Sequence, residues 1–493
     1  MYLMSYNTIV STIRKSMIGN ASLYTAASII QKIAAFFYFA FIARYFGPED
    51  IGSYVYALSI SIILSVFLDF GLTPVLIRSV SQSQSGFKEL VKDIFGYKII
   101  ASALLLILLT FLAWYLNNNL NVKVILILGG GVAFLDSLSL SFWGVMRGEH
   151  NLTKESFSMI FTQLVTLTVG IVSVLSGLPL YALGIALLSG SFFNAIYSWH
   201  IVSKHFNFLI LPSFDFTEFK RNIPQALPFG FSAIFTRIYS YIDQILLPFL
   251  GSTLALGLYS APYKMTFAFQ FIPAAFAASV YPVMSSSFVE NPKRISSILN
   301  QSMILLSLIA TPIAFGIYSI SEQLILMLYG QQFYDSIGSL RILIFSLIPV
   351  FLSFPLGALL NASHRQSKNT LIVFLTMILN IGINFILIPK FSHLGASIAS
   401  LVSLTFLFSS SYYFCFNTLE GQLKLWLQIA KIILSGIAMW LSVTYIINLT
   451  VLPITILIGA IIYILALFVF RVLKIGSKSN WRTWFVDSEI NAL

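Results

Sequence analysis

The chain has 493 residues, of which 58% are hydrophobic and only 9% charged, with a formal net charge of +11. A soluble domain is nearer half apolar and a quarter charged. This composition cannot cover a water-facing surface, so it excludes a soluble enzyme and predicts a polytopic membrane protein.

Read in chain order, residues 7–19 carry Ile9, Ile13 and Met17 at helical spacing, behind which stand Arg14 and Lys15. They predict a helix lying along the membrane surface rather than a cleaved signal. Fourteen stretches then reach the roughly 20 apolar residues that a spanning helix needs. They fall at 21–43, 51–77, 94–115, 123–146, 158–178, 180–200, 224–250, 255–285, 299–320, 338–362, 370–389, 394–416, 426–448 and 452–473.

Basic residues orient these spans, because Lys and Arg collect on the cytoplasmic side. With the N-terminus inside, nineteen of the 28 basic residues fall on inner segments. Only Arg44, Lys123 and Lys390 fall outside, and the rest lie within spans. The positive charge is therefore a topology signal, and nucleic acid is set aside as a partner. Both termini are expected in the cytoplasm. The single cysteine, Cys415, offers no internal disulfide and no metal cluster.

Landmarks recur. FGPEDIGSYVYA at 46–57 matches LGSTLALGLYSA at 250–261, and YALGIALLS at 181–189 matches SHLGASIAS at 392–400. Spans 1–6 and 7–12 read as two copies of one unit. Six is even, so both copies insert the same way up, about a pseudo-twofold axis along the membrane normal. The expected organisation is a cytoplasmic segment at 1–20, a first lobe at 21–200 and a cytoplasmic linker at 201–223. A second lobe follows at 224–416, then two appended spans within 417–474 and a cytoplasmic tail at 475–493.

The stretch ARYFGPEDIGSYVYALSISIILSVFLDFGLTPVLIRSVSQ at 43–82 resembles the signature of Wzx-type O-antigen flippases. These are polysaccharide transporters of the multidrug/oligosaccharidyl-lipid/polysaccharide exporter superfamily. GLYSAPYKM at 257–265 resembles the matching element of the second half, with Pro262 where the family commonly has Ala. The resemblance runs along nearly the whole chain. It implies two six-helix lobes around a central cavity and alternating access. It also implies an undecaprenyl-diphosphate-linked oligosaccharide as substrate, moved between leaflets of the bilayer, with a polysaccharide polymerase and chain-length complex as further partners.

Charges inside spans are costly, about 2.5–3.5 kcal/mol each on insertion scales, and mark functional candidates. Arg237 sits about 20 Å into span 7 by helical rise, near the midplane. Tyr241 and Gln244 follow it at i+4 and i+7, on one helical face. Lys32 lies mid-span in the first helix, one position from Arg237 when the two repeats are aligned, and Lys264 lies within span 8. The three cations predict a cavity that attracts a diphosphate. The alternative for each is structural: outward snorkelling for Lys264, or a bridge from Arg237 to Asp243, Asp136 or Asp69. Those three acids are candidates either for H⁺ or Na⁺ coupling or for charge partnership. The chain has no Walker A pattern, and no other cofactor is expected. Prolines crowd spans 7 and 8, at 228, 248, 262, 273 and 282, and each removes a helix hydrogen bond.

Two readings compete with a flippase. One is a cation-coupled exporter of small molecules, against which the cationic sign of the spans argues. The other is a membrane glycosyltransferase or a scaffold of polysaccharide assembly, against which the short outer loops argue. The topology is testable. A reporter active only in the cytoplasm is expected to be active when fused after Lys88, Arg221 or Arg365, and silent within 117–122 or 325–335. Activity at 325–335 would overturn the fourteen-span arrangement.

Overall fold

The computed structural model describes residues 2–82, 86–116, 119–149, 151–207, 210–290, 292–416, 422–447 and 451–473, and it is built of helices. Helix α1 (Tyr2–Leu64) holds a non-helical residue at Gly47 (φ 82°, ψ 173°), immediately before Pro48. A positive φ is open to glycine, and the following proline cannot donate back along the helix. The break divides α1 into the first two spans. Short α2 (Val66–Asp69) and α3 (Leu72–Ser81) complete the second, separated by left-handed Phe70 and Gly71. Next come α4 (Phe87–Leu116), α5 (Leu120–Gly148), α6 (Thr153–Leu175), α7 (Ala182–Phe206) and α8 (Thr217–Leu250).

Helices α9 (Thr253–Ala268) and α10 (Phe271–Glu290) form one interrupted span. Their break falls at Phe269–Gln270 because Pro273 has no N–H to give the Phe269 carbonyl. The Ile272 amide bonds that carbonyl instead, at 3.1 Å. Helix α9 itself runs through Pro262 without interruption. Beyond lie α11 (Pro292–Ser319), α12 (Ser321–Tyr329), α13 (Ser336–Leu343), α14 (Leu347–Ala362), α15 (Gln366–Cys415), α16 (Gln422–Ile446) and α17 (Leu452–Val469). Helix α15 bends at Ser392 (φ 52°), which again separates two spans.

Among the described residues, 11 helices are long and apolar enough to cross a membrane. Two of these, Ser22–Asp69 and Gln366–Cys415, are the bent pairs. Counting both arms of each, and adding the more polar α8, gives the fourteen expected spans. Residues 2–21 are helical along the backbone, but the side chains that would define the surface-lying face at 7–19 lie outside the described residues, as do residues 475–493.

The chain divides into two compact units, Met1–Pro248 and Phe249–Leu493. Residues 224–248 thus sit in the first unit, although the repeat reckons them with the second half. A core of the first unit lies among α3, α4, α5, α7 and the start of α8, where Leu76, Val91, Phe142, Trp143, Val202 and Ala226 pack together. Backbones also meet directly there. A Cβ on Gly71 would lie 2.4 Å from the Ala226 carbonyl oxygen and 2.6 Å from the Gly230 amide. Small residues permit such close approach in a membrane, where packing rather than water drives association.

In the second unit, Met284, Leu299, Met303, Leu356, Leu359 and Cys415 form one cluster. Phe315, Ile320, Ile432, Met439, Tyr463 and Leu467 form another. The repeat landmarks Tyr54 and Tyr259 are both buried, each in its own unit, and Tyr259 hydrogen-bonds the Ser400 hydroxyl at 2.8 Å. The appended helices α16 and α17 cover α11, and the Tyr463 hydroxyl donates to the Leu308 carbonyl at 3.1 Å. Truncation after residue 420 is therefore expected to leave twelve inserted spans with a lowered melting temperature, because Phe315 and Ile320 lose their cover. Failure of the truncated chain to insert would make α16 and α17 part of the insertion core.

Candidate functional site

The most deeply buried charge is one the hydropathy reading passed over. Lys98 of α4 is fully buried, and its ammonium sits 3.1 Å from Asp69 Oδ1. It also donates to the Ser137 carbonyl and to Ser141 Oγ, each at 2.6 Å. Three acceptors satisfy its three donors, as a charge removed from water requires. Asp69 in turn accepts from the Thr73 hydroxyl at 2.5 Å and the Thr73 amide at 3.4 Å. One carboxylate thus ties α4 to the start of α3 across the left-handed Phe70–Gly71 corner. Asp69 therefore serves as a charge partner in this structure.

Asp136 and Arg237 differ in kind, because both are exposed within a span. Asp136, on α5, accepts a hydrogen bond from Ser191 of α7 and feels the charge of Arg237 on α8. No direct ion pair joins Asp136 and Arg237. Beside them Asn194 of α7 accepts from Trp143 Nε1 at 3.0 Å and from Ser158 Oγ at 2.8 Å. A polar strip thus runs along α7 opposite α5.

On α8 the faces separate. Arg237 is exposed and Tyr241 half-buried, while Asp243 and Gln244 are buried. Gln244 Oε1 accepts from Ser59 Oγ of α1 at 2.6 Å, in a bond closed to the surroundings. Gln244 therefore faces packing, although it shares Arg237's side of the helical wheel; two turns of axial distance carry it from an open level to a closed one. Lys32 of α1 is exposed and makes no hydrogen bond or ion pair with another described residue. Lys264 is exposed on α9, in the second unit. The structure brings together Asp136, Ser191 and Arg237, and separately Ser59 with Gln244 and Asp69 with Lys98.

The first unit holds further charged contacts. Arg147 Nε meets Glu155 Oε2 at 2.9 Å, and a second, shorter contact makes the pair bidentate. The same guanidinium donates to the Tyr24 hydroxyl at 3.3 Å. Asp93 is buried and accepts from the amides of Glu218 and Phe219, at 3.1 and 3.3 Å. Lys98, Ser191, Ser59 and Asp93 were not singled out from sequence. The available signal for Lys98 was a basic residue early in span 3 facing an acid late in span 2, at matching depth near the inner surface.

The chain matches the family model described as "Polysaccharide biosynthesis protein" over residues 17–288, more than half its length. It belongs to that family. It is accordingly a polysaccharide flippase of the multidrug/oligosaccharidyl-lipid/polysaccharide exporter superfamily, a membrane transporter and not an enzyme. The MatE model of the same superfamily also matches, over residues 228–386. The chain is 24% identical to the capsular polysaccharide biosynthesis protein CapF of Staphylococcus aureus, over 81% of this chain and 99% of the relative. It is 23% identical to the probable low-salt glycan biosynthesis flippase Agl15 of Haloferax volcanii, over 80% and 84%. Its fold is similar to that of the lipid II flippase MurJ in an inward closed conformation, with a TM-score of 0.74 at 15% identity, covering 91% of this chain and 97% of that one.

The Lys98–Asp69 pair gives a direct test of structure against transport. Lys98→Met strands a carboxylate in the membrane interior and is expected to cost about 3–5 kcal/mol, seen as low membrane abundance. Lys98→Met combined with Asp69→Asn is expected to restore much of that abundance. If the double variant stays as depleted as the single one, the pair is not what makes Lys98 necessary.

Proposed function

We propose that the protein moves an undecaprenyl-diphosphate-linked oligosaccharide, an O-antigen or another surface polysaccharide unit, from the inner to the outer leaflet of a bacterial inner membrane. The observation that carries this reading is Arg237: an exposed guanidinium in the middle of a spanning helix, with Asp136 as a neighbouring charge but not a direct ion-pair partner. An open cation at that depth has a use in attracting an anion. At 4 Å and an effective dielectric of 20, each unit-charge pair is worth about 4 kcal/mol. A diphosphate offers more than one such charge, and a guanidinium can engage it through two parallel hydrogen bonds. Lys32 is an exposed cation of the same unit and serves as a further contact for the diphosphate, with Tyr241 beside Arg237 on α8; Lys264, exposed in the second unit, is a separate candidate contact for an anion.

Asp136 fits a second duty within the same proposal. It is exposed and supported by the Ser191 hydroxyl. A carboxylate so placed is the candidate for H⁺ or Na⁺ coupling; Asp69 is occupied by Lys98. A polysaccharide polymerase and chain-length complex would take up the product in the outer leaflet. Export of small cationic molecules draws on the MatE likeness, but it requires a cation to bind close to Arg237, which would repel it.

Arg237→Ala is expected to abolish surface polysaccharide while membrane abundance stays near normal. Arg237→Lys should keep part of the activity, since the charge survives and the bidentate fork does not. Normal polysaccharide in Arg237→Ala at normal abundance would remove the binding role. A collapse of abundance would favour a structural bridge to Asp136.

A further inference from the structure

Helix α8 carries Arg237, and how α8 is held decides where Arg237 stands. Its entry is seated on α4 through a row of contacts. The segment before α8 runs against α4, with the Ser213 amide bonding the Lys92 carbonyl at 3.0 Å. Gly96 of α4 makes room for that crossing, since a Cβ there would lie 1.8 Å from the Ser213 carbonyl oxygen. The next residue, Tyr97, stacks on Phe219 of α8, with ring centroids 4.7 Å apart. Its hydroxyl also donates to the Phe67 carbonyl at 2.6 Å.

At the centre of this seat is Asp93. Its carboxylate accepts from two successive amides of the first turn of α8, those of Glu218 and Phe219. These are groups that a helix start leaves without internal partners. A negative charge at the positive end of the helix adds to the bond. The residue therefore acts as an N-cap supplied from another helix. Farther along, Gly230 of α8 abuts the Phe70 carbonyl, and Gln244 is tied to Ser59. Arg237 lies between these two fastenings.

We propose that Asp93 is a positioning residue for transport. It fixes the start of α8 on the first unit as an anchor that stays closed during the cycle, and so sets the depth at which α8 presents Arg237. Nineteen residues separate Glu218 from Arg237, about 28 Å of helical rise. A slip of the anchor moves the guanidinium along the membrane normal or turns it about the helix axis. The proposal rests on the anion-binding role of Arg237, and its test separates the two ideas.

Asp93→Ala is expected to lower surface polysaccharide about tenfold at comparable membrane abundance, the scale of a lost helix cap. Asp93→Asn keeps an acceptor and should recover part of it. In a double-mutant cycle with Arg237→Lys, the losses should not multiply, because Asp93 acts through the placement of residue 237. A purely structural role would lower abundance and multiply with the Arg237 change, and either result overturns the positioning role. A second arm judges the anchor alone. In a Cys415→Ser background, Lys92→Cys with Ser213→Cys places two thiols on residues whose backbones are already hydrogen-bonded. Oxidation is expected to leave transport intact. Loss of transport on oxidation, restored by reductant, would show that the contact must open and would overturn the fixed anchor. If Arg237→Ala itself transports normally, the anion-binding reading falls, while the disulfide result still decides whether the anchor is fixed.

Discussion

A lysine ammonium cannot remain in a membrane interior without partners, and the part of the first unit around α3, α4 and α5 is arranged around that constraint. Lys98 takes three acceptors, one of them Asp69. Asp69 then has oxygens left for Thr73, which closes the corner at Phe70 and Gly71. The corner presents its backbone and the Phe70 ring, and α8 lies against it through Ala226, Gly230 and Phe231. One buried charge thus leads, step by step, to the surface on which the most polar span rests.

The charges of this unit fall into two groups by exposure. Lys98 and Asp93 are buried and fully engaged, and each joins two helices. Removing one partner of the Lys98–Asp69 pair leaves the other stranded, so that pair is held by stability, whereas Asp93 accepts from backbone amides at the start of α8. Asp136, Arg237 and Lys32 are exposed at span depth and lack direct ion pairs. No ion pair offsets their cost, which is the physical reason they are the ones proposed for substrate and ions. Asp69 belongs with the first group, although sequence alone allowed it in either.

Much of the architecture was legible because the bilayer imposes a length. Spans of about 20 apolar residues follow from hydrocarbon thickness, not from tertiary detail. The bend at Gly47 was legible too, since Gly-Pro writes its own geometry. The bend at Ser392 was less so: it places a serine at positive φ, a choice that packing makes and propensity does not. Pairings were the least legible. Lys98 and Asp93 look like ordinary inner-surface charges until α4 is set beside α5 and α8. Gln244 looked like a companion of Arg237 because the helical wheel records angle and ignores depth.

Helix α8 poses a problem of insertion that its contacts resolve. It carries Arg237, Asp243 and Gln244 along with three prolines, and it is not among the helices apolar enough to cross unaided. Such a segment needs a polar surface waiting for it. The helices that supply one are α1 through Ser59 and α4 through Asp93, both earlier in the chain and therefore made first. The first repeat can insert on its own hydropathy and then serve as the template on which the opening helix of the second is laid. Such an order is consistent with residues 224–248 lying with the first compact unit, although the sequence landmarks group them with the second half. It also accounts for the placement of the exposed cation: a span too polar to insert alone can carry an unpaired guanidinium only where the preceding helices have already met the cost of its other polar groups.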